Sequence, residues 1–261
     1  MSTLSVSPTD HLPGIGLDEL VEEAAMMSRI DRKYVVPLAA AYELLSMVPV
    51  GTRVLEIDRR REFGYRSAYL DTPDHHSFFT SGRGHRRRWK LRSRVYLDTG
   101  GCWLELKTAG PRGVTVKERI EHPDPEAHGL TAEGRAFAAP AIGARRAAAL
   151  SLVLATTYRR TTLLLPGSGS RATIDVGLGW ASLGNGRSVD RPDLAIVETK
   201  AGSTPSEVDR LLWSLGHRPV KISKFGVGMS ALHPELPRLK WHRAMDRHLS
   251  LPPHPITKDY A

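Results

Sequence analysis

The sequence predicts an α+β domain built on an eight-stranded antiparallel β-barrel with flanking helices. Runs of alternating apolar and polar residues recur from residue 29 onward, and short glycine-containing turns separate three of them, as in a β-meander. Segments between the runs carry the start and stop signals of helices. The polar positions of the runs hold similar charged side chains, and a barrel would gather these on its inner face.

The elements of the first half can be assigned in order. A polar lead-in with a short helical stretch at about 17–27 precedes a strand at 29–36. Pro37 opens a helix at 38–47, because proline is tolerated at the first helical position. Strands at 52–58 and 63–71 follow, and then a short helix from 72 to about 79, closed by the glycine turn at 82–84.

The meander comprises strands at 86–97, 102–108 and 114–121, and an alanine-rich stretch at 122–152 contains helices at about 131–138 and 141–151. Strands at 154–165, 171–179 and 193–200 precede a helix at 205–215, which Thr204 and Pro205 begin. A last strand is predicted at 219–225, followed by a short helix to about 232. The predicted boundaries are therefore a lead-in at 1–28, one domain at 29–232, and a proline-containing, extended or loosely packed tail at 233–261.

Composition excludes some classes of protein. No apolar run approaches the length of a membrane span, and the first twelve residues lack the pattern of a secretory signal. The single cysteine, Cys102, fits a reducing compartment, so a cytoplasmic location is expected. The net charge of +9, carried by 28 Arg and 9 Lys against 28 acidic residues, favours a polyanionic partner.

The charged residues follow a period of two along the predicted strands, so they share a face of each strand. For any single strand, a polar face turned to water is the simpler interpretation. Across eight strands the repeated arginine and lysine favour an enclosed anion site, because like charges on neighbouring strands repel one another. The shared faces contain Arg29, Asp31 and Lys33; Lys90, Arg92 and Arg94; Glu105 and Lys107; Lys117 and Arg119; Tyr158 and Arg160; Arg171, Thr173 and Asp175; Glu198 and Lys200; and Lys221, Ser223 and Phe225.

Nine fragments in this order resemble the polyphosphate polymerase domain of the vacuolar transporter chaperone (VTC) family. They are 29–34, 65–72, 90–96, 104–107, 116–119, 158–160, 171–175, 197–200 and 221–225. That family belongs to the triphosphate tunnel metalloenzymes, also called CYTH-like proteins. The resemblance implies an eight-stranded antiparallel tunnel, in agreement with the fold expected from the pattern.

The resemblance also implies roles for single residues. It identifies Glu198 as a ligand of a divalent metal, Mn²⁺ or Mg²⁺, with Glu105 as a helper. Lys90 joins the phosphate-binding residues from the pattern of its strand. The residues expected to clamp the transferred phosphoryl group are Lys33, Arg92, Arg94 and Lys224. The residues expected to bind the remaining phosphates are Lys90, Lys107, Lys117, Tyr158, Arg160, Arg171, Lys221 and Ser223.

The implied activity is phosphoryl transfer from a nucleoside triphosphate, ATP in the first instance, to inorganic polyphosphate. Hydrolytic relatives carry two glutamates and a lysine on the first strand, whereas this chain has Arg29, Asp31 and Lys33, the form of the polymerase branch. Two alternatives share the same site: hydrolysis of tripolyphosphate or nucleoside triphosphates, and polyphosphate binding without turnover. Nucleic-acid binding, suggested by Arg86–Arg88 beside Trp89, is not expected because no recognised motif accompanies it.

Overall fold

Strands dominate the computed structural model, which describes residues 7–24, 30–110, 114–167 and 169–249. Their hydrogen-bonded neighbours are antiparallel in the main sheet, and β1 pairs with β3 in parallel. The strands are β1 (Gly14–Ile15), β2 (Ile30–Pro37), β3 (Arg53–Leu55), β4 (Phe63–Asp71), β5 (Trp89–Tyr96), β6 (Cys102–Ala109), β7 (Thr115–Glu121), β8 (Ser151–Leu164), β9 (Arg171–Ser182), β10 (Ser188–Arg191) and β11 (Leu194–Ala201).

The helices lie between and after these strands. The helices are α1 (Leu17–Ala24), α2 (Leu38–Met47), α3 (His76–Arg83), α4 (Pro125–His128), α5 (Ala132–Ile142), α6 (Ala144–Ala148), α7 (Glu207–Ser214), α8 (Lys224–Leu232) and α9 (His242–His248), with a 3₁₀ turn at Leu239–Trp241. None of the helices in the described ranges is long and apolar enough to cross a bilayer.

The main sheet has the strand order β2-β11-β9-β8-β4-β5-β6-β7. This path of eight strands with flanking helices confirms the predicted α+β class. In the described ranges this path is open, because its end strands β2 and β7 do not pair, so the predicted closure into a barrel by strand pairing is not observed. The chain divides into two compact units, and β8 and β9 each contribute residues to both units. Each hydrogen-bonded pair discussed below lies within one unit.

Unit 1 comprises residues 1–63, 159–178 and 191–220. Helices α2 and α7 cover one face of its strands, and their apolar side chains join the core around Val36, Leu44, Val197 and Leu212. Helix α7 is fixed at its start by a capping box, in which Ser206 and Asp209 exchange side-chain and backbone hydrogen bonds. With this face covered, the charged residues Asp31, Lys33, Arg171, Asp175, Glu198 and Lys200 occupy the other face. Arg32 stays on the covered face, 3.6 Å from Asp209.

Unit 2 comprises residues 64–158, 179–190 and 221–261. Its core lies between β4–β6 and the pair α5–α6, and includes Leu91, Leu104, Leu106 and Ile142. These leucines alternate with the charged residues of β5 and β6, so the apolar face of the sheet meets the helices. The charged face lies on the opposite side of the same strands.

Two predictions differ from the structure for a common reason, which is that a side chain caps a helix. They concern the start of α3 and the strand predicted before α8. Helix α3 begins at His76 instead of 72, because the carboxylate of Asp71 accepts hydrogen bonds from the backbone N–H groups of Ser77 (2.8 Å) and Phe78 (2.9 Å). The predicted strand at 219–225 is wrong. Residues 219–223 are irregular, and Ser223 caps α8, accepting a hydrogen bond from the N–H of Gly226.

The prediction of an extended tail is also wrong for residues 239–248, which form the 3₁₀ turn and α9. Trp241, Ala244, Met245 and Leu249 are buried there. Their spacing of three or four residues is a helical period, which the prolines flanking the segment obscured. Arg29 and residues 250–261 lie outside the described residues, so the predictions for them stay predictions.

Candidate functional site

A row of three lysines crosses the sheet of unit 2. The register places Lys90 opposite Lys107 and Lys107 opposite Lys117, so the three side chains lie side by side on one face of β5, β6 and β7. Directly opposed residues have Cβ atoms about 5 Å apart, where like charges destabilise a sheet. Lys90 turns its ammonium group toward Ser223, whose hydroxyl lies 3.0 Å away. The row is therefore a local concentration of positive charge.

Next to the lysine row, one carboxylate is shared by three cations. The Nε of Arg92 donates to Glu105 at 2.8 Å, and the ammonium of Lys117 lies 2.6 Å from the same side chain. The guanidinium of Arg94 lies 4.0 Å from Glu105. Since three positive charges meet one negative charge, this cluster has an excess of about two positive charges.

Aromatic side chains fix the two arginines and a further lysine. Arg94 donates to the hydroxyl of Tyr158 at 3.1 Å, and Arg92 donates to the hydroxyl of Tyr69 at 3.2 Å. The ammonium of Lys224 lies 4.2 Å from the ring centre of Tyr158, a cation–π contact. Tyr158 thus links Lys224, at the start of α8, to Arg94 on β5.

This charged face is shielded from water. Glu105 is 0% exposed, Tyr158 is 3% exposed and Arg94 is 8% exposed. These values argue against the interpretation that the charged side of each strand simply faces solvent, at least for β5 and β6. Lys117, on the edge strand β7, remains partly exposed.

Several buried polar atoms on this side of unit 2 have no hydrogen-bond partner among the described residues. They are the Nε of Arg94, the hydroxyl of Ser67 on β4 and the hydroxyl of Thr156 on β8. Buried polar atoms are normally paired. The three unpaired atoms therefore fit a face that receives a polar ligand or water. Ser67 was not singled out in the sequence, although it continues the alternation of Tyr65 and Tyr69 on β4.

The pKa values agree with a strongly positive cluster. Burial alone would raise the pKa of Glu105, but the charges of Arg92, Arg94 and Lys117 outweigh burial and hold that pKa well below its ordinary value. Burial lowers the pKa of Lys117, and Glu105 offsets part of that effect. The carboxylate therefore stays ionised at neutral pH and cannot act as a general acid there.

In unit 1, a second group of charges centres on Glu198. Strand register places Lys33 opposite Glu198 and Asp31 opposite Lys200. The ammonium groups of Lys33 and Lys200 both contact Glu198, and Lys200 also lies 2.9 Å from Asp31. Burial would raise the pKa of Glu198, but the two lysines hold it well below the ordinary value.

Arg160 and Arg171 occupy β8 and β9 of the same unit. Arg160 forms a bidentate pair with Asp175, with distances of 2.6 and 2.8 Å, and Arg171 lies opposite Lys200 in the register. Asp175 and Lys200 were recognised as part of the alternating pattern but were not predicted as site residues. Their role became visible only through the pairing of strands that are distant in sequence.

The two predicted metal ligands differ in how well they suit a cation. Glu105 is enclosed by three positive side chains, so a divalent ion there would face strong repulsion. Glu198 and Asp31 lie on adjacent strands and share Lys200, and magnesium is often held by one or two carboxylates together with substrate phosphates. In the described ranges, no group of three histidine, cysteine, aspartate or glutamate side chains forms a metal site. Glu198 also contacts the ammonium groups of Lys33 and Lys200, but with two cations instead of three and Asp31 nearby it suits a metal shared with phosphate better than Glu105 does.

The remaining predicted residues lie at the start of α8 and just before it. Ser223 and Lys224 are the N-cap and first residue of α8, and exposed Lys221 precedes them. In unit 2, the predicted residues Lys90, Arg92, Arg94, Tyr158, Ser223 and Lys224 are connected by the contacts described above. In unit 1, Lys33, Arg160, Arg171 and Glu198 lie on neighbouring strands.

Among solved structures, a candidate adenylate cyclase from Bacillus halodurans shares 14% identity, with a TM-score of 0.47, over 76% of this chain and 94% of that one. A candidate adenylyl cyclase from Hippeastrum, described as having a dominant triphosphatase activity, shares 19% identity, with a TM-score of 0.45, over 81% of this chain and 99% of that one. No curated protein matched the sequence. The model of the VTC domain family matches residues 28–233, and on that match the chain belongs to the VTC domain family.

Proposed function

We propose that this protein transfers the terminal phosphoryl group of a nucleoside triphosphate, ATP in the first instance, to inorganic polyphosphate. The observation that carries the proposal is the positive charge on the shielded face of unit 2. Three lysines lie in register there, and three further contacts converge on a single carboxylate, Glu105. Membership of the VTC domain family supports the same chemistry.

The physical argument concerns the cost of burying like charges. Moving a charged group out of water costs several kcal/mol unless an opposite charge compensates it. The cluster around Glu105 has more cations than its carboxylate can neutralise, so a polyanion is the ligand that completes it. A chain of phosphates has regularly spaced negative charges and only acceptor oxygens. Such a chain therefore suits Arg92, Arg94 and Lys224, whose charged side chains donate hydrogen bonds and accept none.

The proposed reaction needs positioning and charge stabilisation more than covalent help from the protein. A terminal oxygen of the polyphosphate attacks the γ-phosphorus of the nucleotide, a new P–O–P bond forms, and the bond to the β-phosphate oxygen breaks. The nucleoside diphosphate leaves with the electron pair of the broken bond. In unit 2, Arg92, Arg94 and Lys224 are the residues proposed to neutralise the charge on the transferred group. The same role for Lys33 of unit 1 stays a prediction.

The other predicted residues keep the roles of phosphate ligands in this proposal. They are Lys90, Lys107, Lys117, Tyr158, Arg160, Arg171, Lys221 and Ser223. A divalent ion held by Glu198 together with phosphate oxygens would supply additional neutralisation of charge. We assign Glu105 a different role from the one expected: it positions Arg92 and Lys117 and limits their mutual repulsion.

The direct test is incubation of the purified protein with ATP and Mn²⁺ or Mg²⁺, with products separated on a gel. The proposal predicts a ladder of polyphosphate that lengthens with time. Glu198→Gln should reduce the rate about 30-fold or more, corresponding to about 2 kcal/mol in the transition state, because a neutral amide holds a divalent ion less strongly than a carboxylate does. Glu43→Gln, at an exposed position on α2, is the matched control and should keep the wild-type rate.

Other outcomes identify the alternatives. Release of free phosphate without chain growth would show a hydrolase and contradict the polymerase proposal. Tight polyphosphate binding without turnover, unchanged by Glu198→Ala, would show a binding module. Absence of both turnover and binding would contradict the whole assignment.

A further inference from the structure

The charged face of β5 extends beyond the candidate site toward the surface. Arg94, Arg92 and Lys90 follow one another at every second residue, and Arg88 continues the alternation just before the strand begins at Trp89. Exposure rises along this line, since Arg94 is buried, Lys90 and Arg88 are partly buried, and Arg86 is exposed. The strand-like backbone ends at Arg88, whose carbonyl accepts a hydrogen bond from the N–H of Ala109 at 3.3 Å, and Arg86 and Arg87 lie in the turn just before it.

Two more cations stand beside the outer end of this line. Lys221 lies two residues before Ser223, the partner of Lys90, and Lys240 precedes the buried Trp241. Burial lowers the pKa of Lys240, and the charges of Arg88 and Lys221 lower it further. Lys240 donates to the backbone carbonyl of Ser81, and the hydroxyl of Ser81 donates to the carbonyl of Trp89 at 3.3 Å, which places Lys240 beside the residue that follows Arg88. All of these residues belong to unit 2.

The cations at the outer end lack the local neutralisation found elsewhere on the surface. Arg66, Arg159 and Arg238 each form an ion pair with a carboxylate. In the part of the chain that the structure describes, Arg86, Arg87, Arg88, Lys221 and Lys240 make no such pair. Arg88 instead donates to the backbone carbonyl of His85 at 3.0 Å. The surface therefore holds several positive charges without counterparts at one end of a continuous charged line.

We infer that Arg86, Arg87, Arg88, Lys221 and Lys240 form an outer subsite that binds the distal phosphates of a long polyphosphate chain whose end lies near Lys90 and Lys224. This outer subsite deepens the proposed function and rests on it for the identity of the ligand. A linear polyanion gains from each additional cation along its path, because each contact releases a condensed counterion. A triphosphate that occupies the inner residues is too short to gain from the outer subsite.

The test compares tripolyphosphate with long-chain polyphosphate in equilibrium binding to the whole protein, for the wild type and the Arg86→Gln/Arg88→Gln variant. We expect unchanged affinity for tripolyphosphate and an affinity for the long chain reduced at least tenfold. The slope of log affinity against log salt concentration for the long chain should fall by roughly one to two. The matched control is Arg145→Gln/Arg146→Gln, which removes two adjacent exposed arginines of α6 and should change neither affinity.

The readouts separate failure of this inference from failure of the proposed function. Equal long-chain affinity in the wild type and the Arg86→Gln/Arg88→Gln variant would overturn the outer subsite. Loss of binding to a single-stranded DNA oligonucleotide, with polyphosphate binding intact, would overturn it in favour of nucleic acid. Loss of tripolyphosphate binding in that variant would place these arginines in the inner site and overturn the division into two subsites. Failure of the wild type to elongate polyphosphate concerns the proposed function alone, because the comparison of chain lengths is made by binding.

Discussion

Glu105 shows most clearly how single residues create the candidate site. Its neighbours on β5 and β7 are positive, its side chain is fully buried, and its pKa is held well below the ordinary value despite burial. The alternation of β6 predicted that Glu105 and Lys107 share a face. It could not predict that three cations from two other strands converge on this carboxylate, because that depends on strand register. The metal role expected of Glu105 was implied by the resemblance to the VTC family and not by this alternation.

Replacing Glu105 tests the charge balance of the cluster. Glu105→Gln should lower the free energy of unfolding at pH 7 by about 3–5 kcal/mol, because it leaves buried cations without their shared partner. Since the folded-state pKa of Glu105 is depressed, its stabilisation is complete above the unfolded-state pKa of about 4.3. It is lost as the pH falls below that value toward the folded-state pKa.

The measurement is chemical denaturation of the wild type and the variant across pH. The difference in stability should be constant from about pH 6 upward and should shrink as the pH falls below about 5. Glu118→Gln removes an exposed carboxylate from β7 and serves as the control, with a small effect at every pH. A Glu105→Gln variant as stable as the control at pH 7 would contradict the shared-carboxylate account.

At the scale of elements, the sequence correctly predicted those helices and strands whose bounds are determined by nearby residues. Helix α2 and strand β4 occupy the predicted residues, 38–47 and 63–71, because a proline start and a clear alternation define them. The helix ending at about 232 was predicted, but its start was placed too late, because the alternation of Lys221, Ser223 and Phe225 predicted a strand to 225 whereas Ser223 caps the helix. α9 was missed because its apolar residues become meaningful only once Trp241 packs against its neighbours.

Packing of α8 against the tail allows a test at this scale. An added Cβ at Gly226 would clash with the ring of Trp241. Gly226→Ala should therefore destabilise unit 2 by about 1–3 kcal/mol through overpacking, and displacement of Trp241 should shift its fluorescence. Gly184→Ala is the control, because no atom lies within 4 Å of its added Cβ. Equal melting temperatures for the two variants would show that α8 and Trp241 do not pack as described.

At the scale of the whole molecule, the distribution of charge matters more than its sum of +9. Many surface arginines form an ion pair with a nearby carboxylate, as Arg159 does with Glu62 and Arg191 with Asp193. The cations along β5 are concentrated on one line, which can attract a polyanion over a distance set by ionic strength. The predicted convergence of cations from all eight strands on a common axis is a long-range property that sequence alternation suggests but does not establish, and it stays a prediction.

The most direct test of the central claim, that the buried cations around Glu105 bind a chain of phosphates, is calorimetric titration with tripolyphosphate. The account predicts saturable binding by the wild type. It also predicts an affinity at least tenfold weaker, about 1.4 kcal/mol, for Arg94→Gln, a variant that keeps Arg92 and Lys117 on Glu105. Wild-type affinity in a folded Arg94→Gln variant would contradict the account.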